Sequence, residues 1–458
     1  MTRPAPARPL PLLLAATLAG AVALAITDAP QSLGLVFRIG IDSPEVAGEQ
    51  LIVAVAGAVA TAVAVLLAGH WRRLLPIGGL GVLVSHLMFD PGWAGITARV
   101  VVPDETVPPP AFALELPWVA LGVAASGVLL VALLGAVQRL WREHPAGAAV
   151  AAITGCAAYL GPMVVGPLRA PDLGTARLIV LGLAVVITAA ALLVRDDPTP
   201  QAPARTRIIV AGAVLFTVAP TLLVAVTGQL GFGSWPNGVV GLVVLAAGAT
   251  AAVTLGQNAL LAAAAVGLAL AAPVTVMLML ADALVIDWAW TPQGLLVPAA
   301  VLLAAALAAS RGRLLAAVVT LLLTAVVTLV MAGGLDTSGQ VTFWAFLAGA
   351  TASVALAVGS TTPLFAARGS LPAAGAVITT MALGVHCTLS FLRIGEPGRP
   401  RLEAVFGREA ALTVGALLII AAILLVLLQR LDRVRPAAPL EDRRRVFTAT
   451  SAEPPETR

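Results

Sequence analysis

Only three ionisable side chains fall within the long apolar runs of this chain: His86, His386 and, near the edge of its run, Glu115. Charges at bilayer depth are costly and usually functional, so these three are candidate proton or substrate contacts. A histidine titrates near neutral pH and could carry a proton through a gated cavity. His386 is placed for this among Thr379, Thr380, Cys387, Thr388 and Ser390. The plainer alternative is a histidine satisfied by a neighbouring hydroxyl or carbonyl. Asp28, Asp90, Asp282 and Asp287 lie close to run ends and could reach a cavity from its rim. Catalytic signatures are missing: there is no Walker glycine loop, no H-E-x-x-H and no Cys/His cluster. The acid pairs Asp42/Glu45 and Asp104/Glu105 stand in loops too short for a sugar-nucleotide domain. An enzyme, a cofactor and a metal site are therefore not expected.

The elements that would position these residues are membrane helices. Of 458 residues, 59% are hydrophobic and 11% charged, with mean hydropathy +0.99. That leaves too little polar surface to coat a soluble globule, so the lipid bilayer is the expected partner. A net charge of +4 gives no reason to expect nucleic acid. Runs of spanning length, about 17–25 residues, occur at 10–27, 51–69, 74–89, 113–137, 146–167, 178–194, 208–227, 239–256, 259–280, 295–310, 314–333, 343–366, 371–392 and 410–429. Fourteen helices result, or thirteen if the runs flanking Gln257 and Asn258 form one broken segment.

All basic residues are arginines, and cytoplasmic loops collect them. With fourteen spans and an internal N-terminus, nineteen of the 27 fall inside and eight outside. Both termini are thus expected in the cytoplasm, in an inner (plasma) membrane. The start, MTRPAPAR before LPLLLAATLAGAVALA, can also be read as a secretory leader. Trp93, Trp235, Trp288, Trp290 and Trp344 sit where aromatic belts form. Cys156 and Cys387 fall inside apolar runs and read as buried thiols.

Organisation along the chain is six, two, six. A first bundle over 1–194 ends at the polar stretch RDDPTPQAPARTR, residues 195–207. A linker with two extra helices occupies 195–257, a second six-helix bundle 258–429, and a polar tail 430–458. Within the first bundle, the second and third helices are joined by GHWRRLLPIGG (69–79); within the second, the equivalent pair is joined by ASRGRLLAA (309–317). Arginines at such turns are first of all topology determinants. Their matching places make Gly69, Arg72, Arg73, Arg311 and Arg313 candidates for a gating role as well. The fifth run contains GCAAYLGPMVVGPL, with Gly155, Gly161, Pro162, Gly166 and Pro167. Glycines allow backbone-to-backbone packing, and each proline removes a helical hydrogen bond and bends the helix. The same residues would also suit a kinked packing helix with no part in transport.

On this layout and these two motifs, the chain resembles the fourteen-helix, drug:proton antiporter branch of the major facilitator superfamily. That family's turn between helices 2 and 3 runs approximately G-x-L-A-D-R-x-G-R-R; Gly69, Arg72, Arg73, Leu74 and Leu75 lie on it, and the acid is absent. Its fifth helix carries a glycine-rich Gly-Pro motif, matched by the fifth run here. The resemblance implies two six-helix bundles around a central cavity, alternating access, and export of a small amphipathic or hydrophobic compound. Ala16 occupies the place of the family's helix 1 aspartate, and Trp118 that of its helix 4 arginine. Proton coupling therefore has little support from the sequence. A non-transporting scaffold or accessory subunit retaining the fold is the alternative expectation.

Overall fold

The computed structural model describes residues 10–26, 44–88, 112–143, 146–164, 174–194, 204–216 with 218, 258–280, 295–331, 340–367, 377, 380, 381, 384 and 408–434. Among these, all regular structure is helical. The helices are α1 (Leu10–Ile26), α2 (Pro44–Leu66), α3 (Trp71–Met88), α4 (Phe112–Glu143), α5 (Gly147–Val164), α6 (Gly174–Ala189), α7 (Ala204–Phe216), α8 (Asn258–Leu280), α9 (Leu296–Ala308), α10 (Arg313–Met331), α11 (Gln340–Ala367) and α12 (Arg408–Val434). Two short 3-10 turns, Ala68–His70 and Ala190–Leu193, follow α2 and α6. The runs at 239–256 and most of 371–392 lie outside the described residues.

These segments are helical because a bilayer offers no water to their backbone groups, and a helix satisfies them internally. The hydroxyls follow the same rule. Thr17, Thr61, Ser126, Thr324, Thr328 and Ser353 each donate to the carbonyl four residues back, at 2.6–2.8 Å. Large apolar side chains on the outer faces, such as Ile52, Val55, Val59 and Val63 on α2 and Leu315, Leu323 and Val330 on α10, are exposed. That inversion suits lipid as the surrounding solvent. Trp344 departs from the belt expectation: it is buried with Val297 and Leu347.

Packing sorts the helices into two groups. In the first, α4 is flanked by α1, α2, α3 and α5, while α1 also meets α5 and α6. In the second, α11 and α12 pack with α8 and α10, and α9 lies on α11. Helix α7 runs along α2, antiparallel to it: Arg207 meets Leu66, Ala211 and Val214 pack on Ala62, and Val218 reaches the cluster of Val53 and Ala54.

Helices α2 and α3 meet at 80° across their 3-10 turn. Each nevertheless runs lengthwise along α4. Gly57 and Thr61 of α2 meet Val123 and Gly127, a parallel register; Gly78, Gly81 and Trp71 meet Leu129, Ala125 and Gly135, an antiparallel one. At Gly78 a Cβ would lie 2.7 Å from the Leu129 backbone nitrogen, so the two backbones touch there.

Gly78→Ala is expected to lower the unfolding midpoint of the detergent-purified protein, at an overpacking cost of about 1–3 kcal/mol. Gly182→Ala serves as the control. Its added methyl would meet nothing within 4 Å, and it should change stability by less than about 0.5 kcal/mol.

Candidate functional site

Trp71 opens α3 and is buried against Gly135 of α4, where a Cβ would stand 2.5 Å from the Trp71 Cβ. That contact fixes the rotation of α3. The next residue, Arg72, is half-buried, and Arg73 points to the surface. Arg72 Nη1 donates to the carbonyl of Val194, which caps the 3-10 turn after α6. Gly69 lies within the 3-10 turn that joins α2 to α3. In the second group, Arg311 and Gly312 are exposed between α9 and α10, and Arg313 is half-buried at the start of α10. Both turns stand at one end of the molecule.

Between the two groups runs a seam of small residues. Gly359 of α11 sits so close to its neighbours that a Cβ would lie 2.5 Å from Ala308 Cβ on α9. It would also lie 2.9 Å from the Ala148 carbonyl oxygen and 3.3 Å from Ala152 Cβ on α5. Two turns further along, Cys156 Sγ donates to the carbonyl of Thr351 at 3.4 Å. These contacts share one antiparallel register, which sets Ala152 opposite Ala355. Ala148, Ala152, Cys156, Thr351 and Ala355 are all buried. Helices approach this closely only when the facing side chains are small. The seam starts at the end that carries the arginine turns and reaches the middle of α5.

The residues singled out by sequence are distributed unevenly. Gly155, Gly161 and Pro162 are helical within α5, and Gly166 and Pro167 lie outside the described residues. The face of α5 that meets the second group is Ala148, Ala152 and Cys156, with Gly155 next to it in sequence. Glu115 lies in the first turn of α4, and His86 is half-buried near the end of α3. His386 and Cys387 lie outside the described residues. Ala16 is fully buried in α1. The Trp118 carbonyl accepts a hydrogen bond from Ser85 Oγ at 2.8 Å, which ties α3 to α4. Among the described residues no group of three or more His, Cys, Asp or Glu could hold a metal ion. The seam went unread in the sequence, although its signal is there: small residues every fourth position, Ala-x3-Ala-x3-Cys from 148 and Thr-x3-Ala-x3-Gly from 351.

Comparison with solved structures places this architecture. The chain is similar to the inward open xylose transporter XylE from E. coli, with TM-score 0.50 and 15% identity over 91% of this chain and 95% of that one. It is similar to the same proton:xylose symporter bound to 6-bromo-6-deoxy-D-glucose, with TM-score 0.50 and 15% identity over 90% and 94%. A bacterial homologue of the human drug peptide transporters PepT1 and PepT2 also matches, with TM-score 0.50 and 15% identity over 92% and 98%. No family model and no curated protein matches the sequence. The chain thus has the major facilitator fold, and the solved proteins named here are transporters.

Gly359→Leu is expected to wedge the seam apart. A cost of about 1–3 kcal/mol on the closed arrangement corresponds to a 5- to 150-fold shift between closed and open populations. In protein carrying Cys387→Ser, maleimide labelling of Cys156 in liposomes should rise by a factor in that range. An unchanged rate would remove the seam from any closure.

Proposed function

With this fold as the premise, we propose that the protein is a secondary transporter working by alternating access. Its two helix groups close on each other along the α5–α11 seam at the arginine-bearing end. One observation carries the reading: the two helix groups meet along a seam of small side chains, Thr351, Ala355 and Gly359 of α11 against Ala148, Ala152 and Cys156 of α5, at the end that bears the arginine turns.

The finer assignments rest on further support. Fourteen crossings follow if the apolar runs at 208–227, whose start is α7 lying lengthwise on α2, and at 239–256 each supply one. The concentration of arginines at the seam-closed end favours a cytoplasmic location for that end and for both termini. It would follow that the closed seam faces the cytoplasm of a plasma membrane. A small amphipathic or hydrophobic substrate, moved outward, is the choice that the scarcity of charges within the spans favours. In this reading the α2–α3 and α9–α10 turns act as gating elements and the α5 glycines as a bend, as in the drug:proton antiporters that the sequence resembles.

A second reading has its own observation. Ala16 is fully buried in α1, where the antiporter branch carries an ionisable aspartate, and Trp118 stands in for the helix 4 arginine. An uncoupled facilitator, or a scaffold that keeps the fold without transport, would lose those two residues first.

Efflux of lipophilic cationic and neutral dyes from everted vesicles, with and without a proton gradient, separates these readings. Gradient-driven movement supports an antiporter and directs attention to His386, His86 and Glu115. Movement without the gradient supports a facilitator, and no movement of any dye supports the scaffold. The double variant Ala152→Cys/Ala355→Cys, made without the native cysteines, is expected to stop transport under oxidation and to recover it with reductant. Transport persisting in the fully cross-linked protein would overturn the seam as a gate. Replacing Arg72 and Arg73 together by glutamine should abolish transport with expression and topology unchanged, and inverted or unstable protein would identify them as anchors only.

A further inference from the structure

Two arginines cross at the base of the first helix group. Arg72, in the first turn of α3, donates from Nη1 to the carbonyl of Val194 at the end of α6. Arg207, in the first turn of α7, donates from Nη1 to the carbonyl of Leu66 at the end of α2, at 2.9 Å. Both acceptors are carbonyls that a helix cannot satisfy by itself, since the last four C=O groups of a helix have no internal donor. The donor that a continuing α-helix would bring to the Leu66 oxygen, His70 N, bonds to Leu67 instead. Val194 stands in extended conformation past its 3-10 turn, with its carbonyl clear of the helix. A cation at a helix C-terminus is favoured by the macrodipole as well as by the hydrogen bond.

We propose that these two bonds form an arginine clasp that fastens four helix ends, those of α2, α3, α6 and α7, into one block. The segment leaving the first group at Val194 and the helix entering at Ala204 are then both tied to the α2–α3 turn. Helix α7 becomes a seventh member of the first half instead of part of a free linker between halves. Its packing agrees: Ala62, Ala211 and Val214 form a buried cluster, and Val218 joins Val53 and Ala54 higher up the same side. In this arrangement Arg72 braces the interior of one half. Helix α7 then moves with the first half in any relative movement of the halves. That last consequence rests on the alternating-access reading; the clasp does not.

The test is a pair of spin-label distances in liposomes, in protein carrying Cys156→Ser and Cys387→Ser. Labels at His70→Cys and Ala204→Cys, both exposed positions, report on the clasp. Labels at Ala204→Cys and Arg311→Cys, also exposed, report on the position of α7 relative to the second half. The first pair is expected to give one narrow distance that survives Arg73→Gln and Arg207→Lys and is lost as a narrow peak in Arg207→Gln. A broad distribution in the parent, or a narrow one that persists in Arg207→Gln, would overturn the clasp. Should Arg207→Gln fail to fold, Arg72→Gln provides the same comparison from the other bond. The second pair is expected to show two populations. A single population there, with the first pair still narrow, would count against alternating access and leave the clasp standing.

Discussion

Backbones in contact are the condition on which the rest of this structure depends. Within a bilayer, burying an apolar side chain against another gains little over leaving it in lipid, so helices associate through close packing and the occasional polar bond. Here the close packing is achieved by the near absence of side chain. Gly78 lies on the Leu129 backbone, Gly127 against Thr61, Gly267 against Thr380, and Gly359 against Ala148 and Ala308. Each of these positions sets a helix pair at a separation that no larger residue would permit. Alanine is the commonest residue in the remaining core, from Ala16 and Ala23 in α1 to Ala421 and Ala422 in α12.

The same device serves two different ends. Inside the first half, the contacts between α4 and its neighbours are backed by large interlocking residues such as Leu129, Leu133 and Leu140. Polar ties add to this, Ser85 to the Trp118 carbonyl and the two arginines to helix ends. Inside the second half, Thr324 and Ser353 join α10 to α11 at 3.2 Å across a buried interface. Along the seam between the halves small residues meet small residues, and Cys156 adds a thiol-to-carbonyl tie, among the weaker hydrogen bonds.

Much of this was open to reading in the sequence. The apolar runs at 10–27, 113–137, 259–280 and 314–333 each became a helix within a few residues of its expected bounds, because hydropathy over a membrane's thickness admits little else. The turn GHWRRLLPIGG was likewise recognisable as a helix junction from its arginines and glycines. The direction of those arginines was not. Whether Arg72 reaches across to the other half or back to its own depends on where Trp71 seats against Gly135, a contact between residues 64 positions apart in the chain. The α5 glycine-proline motif drew attention because those residue types are conspicuous, while the face that meets the other half is built from Ala148, Ala152 and Cys156, which look like ordinary membrane-helix composition.

The sequence by itself determined the solvent, the helical class and the approximate limits of most helices, since these depend on local hydropathy and on backbone groups that must bond within their own segment. Tertiary structure decided which small residues are contacts and which merely face lipid, the antiparallel register of α5 and α11, and the partners of Arg72 and Arg207. The reason lies in the composition: with alanine spread along nearly every helix and large apolar residues facing both lipid and core, periodicity says little about which face meets a neighbour. Only the fit of one backbone against another selects it.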